Sequence, residues 1–199
     1  GMATIEEMRT CIGILVKAGT DEKDIILLHC NTEYPTPDCD VNILAIQDLK
    51  ENFPGVSVGF SDHSVGYVAA VGATILGISL IEKHFTLDKN FPGPDHKASA
   101  TPEELKALVE SVRRIEVMAG SSKKTVTESE RKNKIVARKS IVACKRIKAG
   151  ETLTVDNITC KRPGNGISPM KWYDVLGKTV DRDFEPDELI ELSEFEWQE

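Results

Sequence analysis

The chain has 199 residues, enough for one large or two modest domains, and its 40% hydrophobic and 29% charged residues are ordinary for a globular protein. A formal net charge of −7 argues against nucleic acid or an anionic membrane as the main partner. No apolar run approaches the ~20 residues that a membrane span needs.

Five scattered cysteines (Cys11, Cys30, Cys39, Cys144, Cys160) lack any CxxC spacing, which favours free thiols over a disulfide framework or a zinc cluster. With no signal-peptide pattern recognised, a reducing cytoplasm is the expected compartment.

In chain order, Thr4 with Glu7 forms a capping-box pattern that opens a helix to about Ala18, ended by Gly19. Ile25 to Cys30 has the pattern of a buried strand. Asn31 to Asp40 is a polar loop punctuated by prolines, followed by a helix expected over Val41 to Asn52. A strand at 56–61, a Gly/Ala-rich helix at 67–77 and a strand at 79–85 continue the alternation. Thr101-Pro102-Glu103-Glu104 starts an amphipathic helix carrying Leu105, Leu108, Val109, Val112, Ile115 and Met118, which stops at Gly120.

Strands alternating with helices predict an α/β fold with a parallel sheet. Three strands leave that sheet with open edges, and a β/α barrel typically needs about 250 residues. Residues 1–120 are therefore expected to be the C-terminal part of a TIM (β/α)8 barrel whose N-terminal strands are absent from the sequence. Residues 121–135 are polar, without apolar period, and read as a linker. Residues 136–199, with short β-like runs at Ser140–Ala143 and Thr152–Thr154, read as a small, mainly β second domain. At about 60 residues it is near the lower limit for independent stability, so docking on a neighbour is expected.

His63 and His84 each follow a short apolar run. Two successive strands of a β/α unit present both imidazoles at the edge where such folds place their chemistry. A single histidine is most often a surface or satisfied core residue. Two at consecutive strand ends, with Asp62 and Glu82 beside them, read as half of a divalent-metal site that leaves positions open to substrate oxygens. His29 lies before the end of its strand and is expected to face away.

Weaker signals surround this pair. Asn31, Thr32 and Tyr34 either shape a proline turn or offer neutral hydrogen bonds to a polyhydroxylated or phosphorylated ligand. Ser61 is placed to donate to a phosphate or carboxylate. Pro92-Gly93-Pro94 either forms an ordinary loop or holds Asp95 over the site as an acid/base group. Arg162, fixed before Pro163-Gly164, is a surface charge or a forked donor. Glu82, Asp62 and Lys83 are equally compatible with supporting roles.

In order and with fitting spacing, LLHCNTEYPTP, GFSDHS, IEKHFTLDKN, GPDHKAS, ARKSIVA and KRPGNGISP resemble the sialic acid synthase family, specifically the bacterial nonulosonic acid synthases. The resemblance implies a β/α barrel joined by a linker to a small antifreeze-like (SAF, β-clip) domain. It implies a carbon–carbon bond-forming transferase that condenses phosphoenolpyruvate with N-acetylmannosamine or a related N-acylated hexose and releases phosphate.

Carried over by motif, His63 and His84 would bind Mn2+, with Mg2+ or Co2+ as alternatives. Thr32 and Ser61 would contact phosphoenolpyruvate. Tyr34, Glu82 and Asp95 would hold the sugar, with Glu82 and Asp95 as the catalytic carboxylates. Arg162 would reach from the small domain into the partner subunit's barrel and touch the N-acyl group, which implies a domain-swapped homodimer. Where some relatives have Thr-Asn, this chain has Asn31-Thr32.

The competing readings are a metal-dependent pyruvate aldolase, which shares the barrel and paired histidines, and a binding module or inactive fragment. The family's phosphate- and carboxylate-binding lysines lie on earlier barrel strands. The 199 residues alone are therefore expected to be inactive and aggregation-prone.

Overall fold

The computed structural model describes residues 1–193, so residues 194–199 of the expected small domain lie outside the described residues. The chain divides into two compact units, Gly1–Ser122 and Lys123–Glu199.

In the first unit, helix α1 (Ile5–Lys17) begins with the expected capping box. Thr4 Oγ1 accepts the Glu7 amide, and the Glu7 carboxylate accepts the Thr4 amide. Gly19, at φ 108°, turns the chain in a backbone conformation that favours glycine. Strand β1 (Ile26–Cys30) follows. Helix α2 (Ala45–Asn52) starts four residues later than its apolar pattern predicts. Asn42 adopts φ 46°, and a right-handed helix cannot run through a left-handed residue. Val41 is buried all the same, ahead of the helix.

Strand β2 (Ser57–Asp62), helix α3 (Val68–Ile75) and strand β3 (Ile81–Lys83) complete the alternation. The Lys50 ammonium caps the end of α3 by donating to the Leu76 and Gly77 carbonyls at 2.8 and 3.0 Å. The three strands are parallel, in the order β1-β2-β3.

The expected strand at 79–85 is ladder-paired only over 81–83, because after Lys83 the chain leaves β2 and Phe85 pairs with Ala100. Helix α4 (Pro102–Ala119) opens with a second capping box, Thr101 with Glu104, and Pro102 in its first turn. Its apolar stripe is only partly covered: Leu108 is buried and Val112 packs on the core, but Val109 and Met118 are exposed. The core of this unit gathers Ile46, Leu49, Phe53, Val58, Phe60, Ala70, Ala73 and Leu108 between helices and sheet.

The stretch 121–135 is not simply a connector. Helix α5 (Glu128–Ala137) starts within it, opened by a capping box of Thr127 and Glu130. The helix buries no residue, which is why no apolar period marks it.

Strands β4 (Ser140–Ala143) and β5 (Ile158–Lys161) pair antiparallel, while among the described residues Thr152–Thr154, read as β-like, contributes only a single bridge from Thr152 to Thr179. A short helix α6 (Trp172–Val175) follows. Isolated bridges from Val142 to Leu189 and from Ile147 to Phe184 close the unit over Ile141, Ile147, Leu153, Val175, Val180, Phe184 and Ile190.

Candidate active site

The parallel register of β2 and β3 sets Ser61 opposite Glu82 and Asp62 opposite Lys83. Strand alternation sends successive pairs to opposite faces. On one face Ser61 Oγ donates to Glu82 Oε1 at 2.7 Å. On the other, Asp62 and Lys83 form an ion pair at 3.1 Å, with side-chain exposures of 0% and 5%. The following residues are the two histidines. His63 returns to the first face, its Nε2 3.4 Å from Ser61 Oγ. The His63 and His84 rings meet edge to face, with centroids 5.2 Å apart and planes at 88°.

The preceding loop supplies a third ring. Tyr34 lies 4.2 Å from the His63 centroid and 5.2 Å from that of His84. Lost hydration against this cluster, then the charges of Cys30, Asp95 and Glu82, hold its phenol above the usual range, so it is a neutral hydrogen-bonding group at pH 7. Asp95, from the Pro-Gly-Pro loop, places Oδ2 3.8 Å from His84 Nδ1, within ion-pair reach but beyond a hydrogen bond.

Ser61, His63, Glu82, His84, Tyr34 and Asp95 are thus gathered at the C-terminal edge of the sheet, while Thr32 is exposed in the Tyr34 loop. His29 faces away as expected: its Nε2 meets the Val41 carbonyl at 2.8 Å and its ring stacks on Phe60.

His63, 9% exposed, is oriented from behind. Its Nδ1 lies 2.6 Å from the Asn31 carbonyl, which can only accept, so the neutral ring carries its proton there and Nε2 keeps the lone pair. A backbone carbonyl behind a histidine is a common arrangement at metal sites. Among the described residues no group of three or more His, Cys, Asp or Glu side chains is disposed around one point to hold a cation. Two imidazoles alone would leave a divalent ion with an open shell, not a closed cage.

Sequence reading did not single out Cys30, whose Sγ lies 3.7 Å from His63 Nδ1, nor the mutual burial of Asp62 and Lys83. The period of two offered a signal for the thiol, since Cys30 falls on the opposite face of β1 from His29, which turns away. Arg162 belongs to the second unit, where its Nε donates to the Ala137 carbonyl at 2.9 Å. The neighbouring loop is tied down by Ser140 Oγ, which donates to the Pro163 carbonyl and accepts the Gly166 amide.

A parallel β/α unit with paired imidazoles and carboxylates at its strand ends is followed by a small β unit, an α/β organisation. Residues 1–124 match the NeuB family model and residues 138–196 match that of the SAF domain; the chain belongs to the NeuB family.

It is 47% identical over 190 residues to the N,N'-diacetyllegionaminic acid synthase of Campylobacter jejuni, covering 96% of this chain and 57% of that protein. It is 40% identical to the pseudaminic acid synthase of the same species, covering 98% of this chain and 56% of that protein. The solved N-acetylneuraminic acid synthetase of Leptospira borgpetersenii matches with a TM-score of 0.59 at 37% identity, over 67% of this chain and 45% of that one. The chain spans a little over half the length of the curated relatives it matches.

Proposed function

We propose that this chain carries the sugar-activating part of a nonulosonic acid synthase, which condenses phosphoenolpyruvate with N-acetylmannosamine or a related N-acylated hexose. The observation that carries this reading is the cluster of His63, His84 and Tyr34 rings with Glu82 and Asp95 at one sheet edge. In this reading the three parallel strands belong to a β/α barrel.

His63 and His84 would hold a divalent cation, Mn2+ foremost, which supplies Lewis acidity toward a carbonyl oxygen. Tyr34, neutral at pH 7, donates to a sugar oxygen. A new carbon–carbon bond forms between the phosphoenolpyruvate methylene and the aldehyde carbon of the open-chain sugar. Water adds at the former enol carbon, and the carbon–oxygen bond to phosphate breaks. Glu82, its Oε1 already accepting from Ser61, offers its other oxygen to the proton of that water. Asp95, its Oδ2 3.8 Å from His84 Nδ1, serves as an acceptor for a sugar hydroxyl. Ser61 and Thr32 serve phosphoenolpyruvate, and Arg162 meets the N-acyl group from a partner subunit.

The test uses the full-length protein containing this segment, supplied with phosphoenolpyruvate and a panel of N-acylated hexoses while phosphate is followed. His63→Ala and His84→Ala should each lower turnover by about 10²–10³-fold, the scale of losing one preorganised electrostatic contact. Turnover that survives both changes overturns the metal assignment. Product formed from pyruvate without phosphate release points instead to an aldolase.

A further inference from the structure

We infer that the buried Asp62–Lys83 ion pair is a positioning device that sets the relation between the two histidines. This rests on the reading of His63 and His84 as ligands of a divalent cation. Each partner immediately precedes one histidine, and the two stand directly opposite at the last register pair of β2 and β3, before both strands run into loops. The pair therefore cross-links the strands at the point from which the imidazoles depart.

Its grip extends past His63. Asp62 Oδ1 accepts both the amide and the hydroxyl of Ser64, at 2.9 and 2.7 Å, and Lys83 Nζ donates to the Ser64 carbonyl at 2.5 Å. Asp62 and Ser64 are both buried, so His63 is clamped on its two sides by groups excluded from water. Its own carbonyl is held by the Thr36 amide at 3.0 Å.

A buried ion pair is a poor source of stability compared with an apolar pair of similar volume. An apolar pair, however, has no directional bonds with which to hold the Ser64 amide, hydroxyl and carbonyl. The charges at these two positions are thus explained by orientation. Groups that orient ligands from behind typically change metal affinity 10–100-fold when replaced.

The experiment compares the full-length protein with its Asp62→Asn/Lys83→Met double variant. Mn2+ uptake is titrated by the electron paramagnetic resonance signal of the free ion, and folding is followed by circular dichroism. The folded double variant should bind Mn2+ about 10–100-fold more weakly. A purely structural pair would lower the melting temperature and leave binding by the folded fraction unchanged; equal affinity in a folded double variant overturns the inference.

If that variant does not fold, Ser64→Ala deletes one donor to Asp62 and should weaken Mn2+ binding several-fold; an unchanged affinity is again decisive against the clamp. A parent protein that takes up no Mn2+ refutes the ligand assignment instead. In that case the imidazole nitrogen resonances of His63 and His84 in the metal-free protein read positioning alone. Both should shift in the variant, and unmoved resonances overturn the inference.

Discussion

Gly59 shows how one residue sets the site from a distance. It lies in the buried middle of β2, where a Cβ would come within 2.5 Å of Leu28 Cδ2 and 2.7 Å of the Leu80 carbonyl oxygen. The leucine tip can move; the carbonyl cannot, because it accepts the Phe60 amide at 2.9 Å. Glycine is needed here for close backbone approach, not for an unusual dihedral angle. Gly59→Ala should therefore cost about 1–3 kcal/mol, the usual scale of overpacking, measured by urea unfolding. A variant as stable as its parent contradicts this packing. The same residue scale explains Tyr34, which sequence placed in a loop and which contributes a ring against both histidines although it remains 44% exposed.

At the scale of elements, the start of α4 couples capping to pH. Glu104 accepts the Thr101 amide at 2.9 Å and pairs with Lys89 at 2.6 Å. The Lys89 hydrogen bond first, then the Thr101 amide, holds its carboxyl below the usual glutamate range. A lowered folded-state value means that the stabilisation is complete above the unfolded value of about 4.3 and fades as pH falls through the folded value.

Both partners are more than a third exposed, so solvent screening limits the pair to under about 1 kcal/mol. Glu104→Gln keeps an acceptor for the amide but loses the ion pair. Its deficit in unfolding free energy at pH 7 should shrink on acidification, and a deficit that grows contradicts the assignment. The same capping signature was present at Thr127 and Glu130 in the stretch read as a linker. The capping box was the better guide there than the missing apolar period, since a helix that buries nothing shows none.

For the whole molecule, the decisive feature is an incompletely covered sheet. Strands β1 and β3 are both edges among the described residues, and Ile14, Ile26, Leu44 and Val68 are exposed at 63%, 45%, 64% and 81%. Unpaired edges and exposed apolar side chains promote association. The 199-residue polypeptide expressed alone should therefore self-associate. Size-exclusion chromatography with light scattering tests this; a monodisperse monomer refutes it. Among the described residues no helix is long and apolar enough to cross a membrane.

Local chemistry determined much of this protein from sequence by itself. The capping boxes at Thr4 and Thr101, the Gly19 and Gly120 helix ends and the three apolar strand runs depend on neighbours a few residues away, so they are legible in one dimension. The nomination of His63 and His84 also followed from order along the chain, because each lies just past a strand end. Only the tertiary structure decided what those histidines touch. The β2–β3 register, the return of the Asn31 carbonyl behind His63, and the burial of Asp62 against Lys83 join residues 21 to 32 positions apart. Contacts of that range are set by packing of the sheet and its loops, and no local pattern encodes them.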